Sequence, residues 1–189
     1  MRTTIYLVRH AEAEVNLNPL TPSESDVLTE NGLKQAQLVA TRLKDFPIET
    51  IYTSKISRAL RTAEVIGSAF NKAPIIIESL KERKVIYTNQ KDYTHQETFD
   101  DLKIRLIETK TFLENLPTGH VVVVSHALFL RALVAYIAVG ELLTEELLQK
   151  ITETLLVSHA AISIISYNQQ DHRWHIESLN DQAHLLKSP

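Results

Sequence analysis

Two dipeptides stand out by their chemistry. Arg9-His10 follows directly on the apolar run Ile5-Tyr6-Leu7-Val8, and Ser125-His126 follows on the run that ends at Val124. Between them lie the segment from Ser54 to Arg61, which carries Arg58, and the single acid Glu82. An imidazole beside a guanidinium joins a nitrogen nucleophile to a clamp for an anion. A phosphate dianion needs permanently charged, bidentate donors, which arginine supplies. Its transfer can run through a covalent intermediate on a neutral imidazole nitrogen. A carboxylic acid can protonate the departing oxygen. Two histidines, two or three arginines and one carboxylate therefore suit phosphoryl transfer. From residues 5–12 alone, an exposed polar exit from a core strand reads equally well.

The elements decide whether these residues can meet. Residues 5–8 read as a short buried strand, and residues 13–26, with two prolines, as a loop. Thr29 is a plausible N-cap for a helix whose Leu33, Ala36, Ala40 and Leu43 recur at helical spacing, and Phe46-Pro47 ends it. Residues 50–53 read as a second strand. Ser54 opens a helix with Ile56, Leu60, Ala63, Ile66 and Phe70 as its buried stripe. Residues 74–78 read as a third strand and residues 80–93 as a long polar loop. Thr94 and Glu97 have capping-box spacing for an amphipathic helix that ends before Pro117. Residues 120–124 form the most hydrophobic strand, followed by a helix over 127–139 and a shorter one starting at Thr144. Residues 162–167 and 174–179 read as a closing hairpin. Strands and helices alternate through most of the chain, which predicts an α/β fold: a three-layer α/β/α sandwich whose mostly parallel central sheet has an antiparallel edge. In such a sheet Arg9-His10, Ser54 to Arg61, Glu82 and Ser125-His126 all gather along one edge, where ligand crevices open.

Composition narrows the field. The chain has 189 residues, enough for one substantial domain over 1–189, and is 44% hydrophobic and 23% charged. A net charge of −3 without a basic run gives no reason to expect nucleic acid or an anionic membrane as partner. No apolar run approaches the roughly 18 residues of a membrane span, and no signal segment precedes the first strand, so a cytoplasmic protein is expected. With no cysteine, disulfides, thiolate metal sites and cysteine nucleophiles drop out together. His95, His120, His159, His172, His175 and His184 share no metal-ligand spacing, so structural or surface places are expected for them.

Read as a set, the motifs resemble those of the histidine phosphatase superfamily, in its phosphoglycerate-mutase-like branch. The opening motif appears as Leu7-Val8-Arg9-His10-Ala11-Glu12, with Ala11 where the family has glycine, and Asn16 follows six residues after His10. Leu28, Thr29, Gly32, Gln35 and Ala36 match a second pattern, and Ser54, Arg58, Ala59, Thr62 and Ala63 a third. Leu80 and Glu82 match the acid's motif, Val124-Ser125-His126 the second histidine's, and Asn180-Asp181 with His184-Leu185 the carboxyl-terminal signature. The resemblance spans nearly the whole chain, in order. It departs from the pattern after Glu82, where residues 83–87 contain no glycine, and there Glu78 and Glu97 are rival acids.

The resemblance implies that His10 becomes phosphohistidine, that Arg9 and Arg58 bind phosphoryl oxygens, and that His126 donates to them as charge shifts. It implies that Glu82 protonates the leaving alcohol and then activates water. Asn16 joins the phosphate grip, and Arg61 is either a further contact or a surface charge. His10 must present a neutral nitrogen, so a hydrogen bond fixing its tautomer is expected. No metal and no cofactor is implied. The expected partner is a small phosphorylated metabolite, and a homodimer is compatible with the family. In the family a mutase carries a longer insertion over its site. The lid-like segment at about 83–97 is short, which favours a phosphatase acting on a small phosphate monoester. A phosphoglycerate-type mutase and a phosphohistidine or phosphoprotein phosphatase are the alternatives, and a binding module with vestigial catalysis is the reading from another class.

Overall fold

A computed structural model describes residues 1–17, 26–83 and 97–186. The first strand, β1 (Arg2–Arg9), leads through the single turn α1 (Glu14–Leu17) to α2 (Glu30–Leu43). There follow β2 (Ile48–Thr53), α3 (Ser57–Ser68), β3 (Ile75–Ile76) and a 3-10 turn over Glu78–Leu80. The second half runs α4 (Phe99–Glu114), β4 (Gly119–Ser125), α5 (Ala127–Val139), α6 (Glu145–Thr154), β5 (Ile162–Asn168) and β6 (Arg173–Asp181). The six strands form one sheet in the order β3-β2-β4-β1-β5-β6. β1, β2, β3 and β4 run parallel, while β5 and β6 are antiparallel to their neighbours.

Side chains on a strand alternate between faces, so each strand feeds two cores. Ile5, Leu7, Val121 and Val123 pack with Leu102, Leu106, Leu130 and Leu133 of α4 and α5. Tyr6, Val8, Val122 and Val124 pack on the other face with Ala36, Val39, Ala63 and Ile66 of α2 and α3. This is the three-layer arrangement, with a mixed sheet between helices. Among the described residues no helix is long and apolar enough to cross a membrane.

Several local expectations need correction. α3 begins at Ser57 rather than Ser54. Its fully buried residues are Ala59, Thr62, Ala63, Ile66 and Gly67, so Ile56 and Leu60 flank the buried face instead of forming it. At its end, glycine lets the following chain fold back onto the helix: a Cβ on Gly67 would stand 2.2 Å from the Lys72 carbonyl oxygen. β3 keeps only two paired residues, with Ile75 and Ile76 about half exposed at the sheet's edge. The capping box that starts α4 is Thr98 with Asp101. Thr94, Tyr87, Tyr93 and most of the lid-like segment at 83–97 lie outside the described residues.

Register brings the chemistry together. Arg9 stands opposite Ser125, and Thr53 opposite Val124, so His10, His126 and Ser54 leave three adjacent strands at one level. Because β5 is antiparallel, its beginning lies at that same edge: Ile162 stands opposite Val8. The Glu12 carbonyl then accepts from the Thr29 amide at 3.1 Å. A Cβ on Gly32 would stand 1.9 Å from that carbonyl oxygen, so only glycine allows α2 to begin against the loop after His10.

Candidate active site

His10 is 2% exposed, and its ring is oriented by two contacts. Nδ1 lies 2.8 Å from the Ala11 carbonyl oxygen, which can only accept, so Nδ1 carries the proton. Nε2 is left with its lone pair and accepts from Arg58 Nε at 3.1 Å. The expected tautomer-fixing bond is therefore present, and it comes from the next residue's own backbone. Burial, together with His126 and Arg58 nearby, holds the His10 pKa well below the ordinary histidine value. The imidazole is neutral at physiological pH, as a nucleophile must be.

Ala11, which stands where the family has glycine, lies away from the reacting edge. It is fully buried in the α2/α3 core and adopts no positive φ, so the backbone there does not need glycine. Its amide donates to Thr62 Oγ1 at 3.0 Å, and Thr62 donates in turn to the Arg58 carbonyl at 2.7 Å. One hydroxyl thus links the peptide that follows His10 to the helix that carries Arg58.

Arg58 is held from below by Asp26, whose Oδ2 accepts from Nη1 at 2.5 Å. Asp26 is 1% exposed, and its Oδ1 has no partner among the described residues. Arg9 is gripped by the chain just before β5. Nη1 donates to the Val157 carbonyl and Nη2 to His159 Nε2, each at 2.7 Å, while Nε is buried without a partner among the described residues. Burial lowers the Arg9 pKa to about 10, which leaves it charged at neutral pH. His126 is fully buried, with Nε2 and Ser54 Oγ 3.0 Å apart, and burial pushes its pKa well below the ordinary value. The rings of His126 and His159 lie 5.2 and 5.4 Å from that of His10.

Glu82 completes the group. Its Oε1 accepts from the amides of Arg83 at 2.9 Å and Phe129 at 3.1 Å, the latter in the first turn of α5. Those bonds favour the carboxylate, but burial opposes it more strongly, and the Glu82 pKa is raised. A shielded acid that keeps its proton beyond the ordinary glutamate range fits a proton donor. Arg58, Glu82, Ile56, Lys55 and Arg83 border a cavity of about 390 Å³, where the departing half of a substrate has room. The rival acids are engaged elsewhere: Glu78 pairs with Lys55 at the surface, and Glu97 with Arg105.

The structure thus brings His10, Arg9, Arg58, His126 and Glu82 to one sheet edge. It leaves two other candidates outside that cluster. Asn16 is exposed and spends its side-chain oxygen on the Ala13 amide at 3.0 Å. Arg61 is exposed on α3, pairs with Glu64 at 3.0 Å, and borders a groove against Leu33 and Val27 of the α2 layer. Two members escaped the sequence reading. Asp26 sat in a stretch read as loop. His159 was grouped with the structural histidines, although an antiparallel strand beginning near it implies a position at the ligand edge. Burial beside Arg9 lowers the His159 pKa to about 4.

A mixed six-stranded sheet with these groups at the ends of its central strands has the architecture of the phosphoglycerate-mutase-like folds. The chain belongs to the histidine phosphatase superfamily (branch 1), whose family model matches residues 5–89 and 86–182. An uncharacterized phosphatase, PhoE, of Bacillus subtilis (strain 168) is 27% identical over 197 residues, covering 97% of each chain. A probable phosphoglycerate mutase, GpmB, of Photorhabdus laumondii is 29% identical over 209 residues, covering 96% of this chain and 94% of the other. Among solved structures, YhfR of Bacillus stearothermophilus superposes with a TM-score of 0.77 at 23% identity, over 97% of this chain and 100% of that one. An alpha-ribazole phosphatase of Shigella flexneri gives a TM-score of 0.74 at 23% identity, over 96% of each chain. At that identity the superpositions speak for the fold.

Proposed function

We propose that this histidine phosphatase hydrolyses a small phosphate monoester through a phosphohistidine on His10. The observation that carries the reading is the pairing of a neutral His10, its Nε2 lone pair facing Arg58, with a shielded Glu82 whose pKa burial raises. Nε2 attacks phosphorus in line with the ester oxygen. The phosphorus–oxygen bond breaks, and Glu82 gives its proton to the departing alcohol. The glutamate, now a carboxylate, takes a proton from water as that water attacks the phosphohistidine, which frees phosphate and restores His10. Arg9, Arg58 and His126 hold the phosphoryl oxygens throughout, and their grip strengthens as charge shifts onto those oxygens. No metal takes part in these steps.

Phosphatase is favoured over mutase because only residues 83–98 connect Glu82 to α4, a short span for a cover that keeps water from the intermediate. The similarity to an alpha-ribazole phosphatase of Shigella flexneri and a phosphoserine phosphatase of Entamoeba histolytica supports a small monoester. The test is turnover of a chromogenic phosphate ester, then a panel of phosphorylated metabolites, with chelator present. Phosphate release that disappears in His10→Ala is expected. No release from the wild type across the panel would leave a binding module as the better reading. Rapid interconversion of phosphoglycerates with little free phosphate would make the enzyme a mutase.

A further inference from the structure

Arg105, on the inner face of α4, is 6% exposed, and a buried guanidinium must find partners for its donors. Nε and Nη2 form a two-pronged pair with the Glu97 carboxylate at 2.7 and 2.5 Å. Nη1 donates to the carbonyls of Ser79 at 2.8 Å and Lys81 at 2.7 Å, which flank Leu80 just before Glu82. One helical turn further on, Thr109 Oγ1 lies 2.9 Å from Ser79 Oγ. The guanidinium also lies over the Phe129 ring, 4.4 Å from its centroid, and it is the Phe129 amide that donates to Glu82. The turn that carries the acid and the helix start that receives it are therefore both braced on one side chain.

We propose that Arg105, backed by Glu97, is a positioning residue that sets the Glu82 carboxyl at its proton-donating place. The proposal rests on the reading of Glu82 as the proton donor. A buried ion pair is a poor source of net stability. What this one contributes is direction, because a planar guanidinium fixes two backbone carbonyls relative to a carboxylate and a ring.

The test uses leaving groups. A nitrophenolate departs with little need of a proton, whereas an alkoxide needs one, so displacement of the acid harms alkyl esters selectively. The probes are p-nitrophenyl phosphate and glycerol phosphate, with kcat/KM measured for each, because it reports the steps through release of the alcohol and leaves out the shared hydrolysis of the phosphohistidine. Arg105→Met keeps the apolar stem against Phe129 and releases both carbonyls. It is expected to lower kcat/KM for glycerol phosphate about thirtyfold and for the nitrophenyl ester about threefold. Glu97→Gln, a gentler change, gives the same pattern at about a third of that ratio, and Arg105→Lys restores part of the loss. If Arg105→Met fails to fold, as read by circular dichroism, Glu97→Gln decides. Equal losses on both esters would reduce Arg105 to a structural residue and overturn the proposal. Glu82→Gln is the separate control: if it shows no leaving-group selectivity, the role of Glu82 itself falls, and this proposal with it.

Discussion

Replacing Thr62 by valine keeps shape and volume while removing the hydroxyl that joins the Ala11 amide to α3. Both residues are fully buried, so no water replaces the lost acceptor. The Arg58 carbonyl loses little, because the helix already supplies an amide four residues on. The Ala11 amide loses its partner, and an unpaired buried donor costs about 1–3 kcal/mol. Taking about 2 kcal/mol, a chain of this length melts roughly 4–8 °C lower. Activity suffers as well. When the His10–Ala11 peptide turns to find a new acceptor, the φ of Ala11 changes and the next peptide shifts with it, displacing the Ala11 carbonyl that holds the His10 proton on Nδ1. Misplacing the nucleophile by a fraction of an ångström lowers kcat about ten- to a hundredfold. Urea unfolding and steady-state kinetics on Thr62→Val and Thr62→Ser measure both effects. The serine variant keeps the hydroxyl and loses about 1 kcal/mol through its missing methyl, with kcat near wild type. A valine variant as active as the serine one would refute the link between Thr62 and the His10 tautomer.

Other perturbations follow from the same geometry. The kcat/KM profile, corrected for substrate ionisation, rises with loss of the His10 proton below the ordinary histidine range and falls as Glu82 ionises above the ordinary glutamate range. In Glu82→Gln the falling limb disappears. His10 and His126 stay neutral in the fold while the unfolded chain binds protons at about pH 6.5, so acid favours unfolding. Stability therefore falls as pH drops from about 7.5 to about 5.5, His159 and His184 add to the effect in the same direction, and His126→Ala weakens that dependence, read from urea midpoints at the two pH values. His159→Ala frees Arg9 Nη2 and raises KM about tenfold with a smaller change in kcat, and His159→Gln recovers part of the affinity. Ala11→Gly costs about 0.4–1 kcal/mol in unfolding experiments through the freer unfolded chain, because the native backbone there needs no glycine.

What the sequence made legible was whatever depends on neighbours in the chain. Arg9-His10 and Ser125-His126 each end an apolar run, and a strand exit is a local property. The pairing of Arg9 with Ser125 belongs to the sheet's register, which apolar valines and isoleucines leave open. Asp26 and His159 are single polar residues in connecting chain, and only the fold shows that one supports Arg58 and the other Arg9. The start of α4 shows a closer competition. Thr94 with Glu97 and Thr98 with Asp101 both have capping-box spacing, and the second is the one used because Glu97 is committed to Arg105. In α3 the larger apolar residues drew attention, whereas close approach to the sheet selects Ala59, Thr62 and Ala63 for the buried face.

The contact between Arg58 Nε and His10 Nε2 has a consequence for selectivity. In the free protein the His10 lone pair is stoppered by the very cation that, on the proposed mechanism, would later grip the substrate. A neutral electrophile offers that guanidinium nothing and meets a blocked nitrogen. On the proposed reading, an oxyanion would draw the arginine toward itself and in doing so uncover the atom that attacks it. Such a site would admit its reactant by charge before it tests it by shape, its reactive nitrogen bare only with a phosphate already in hand.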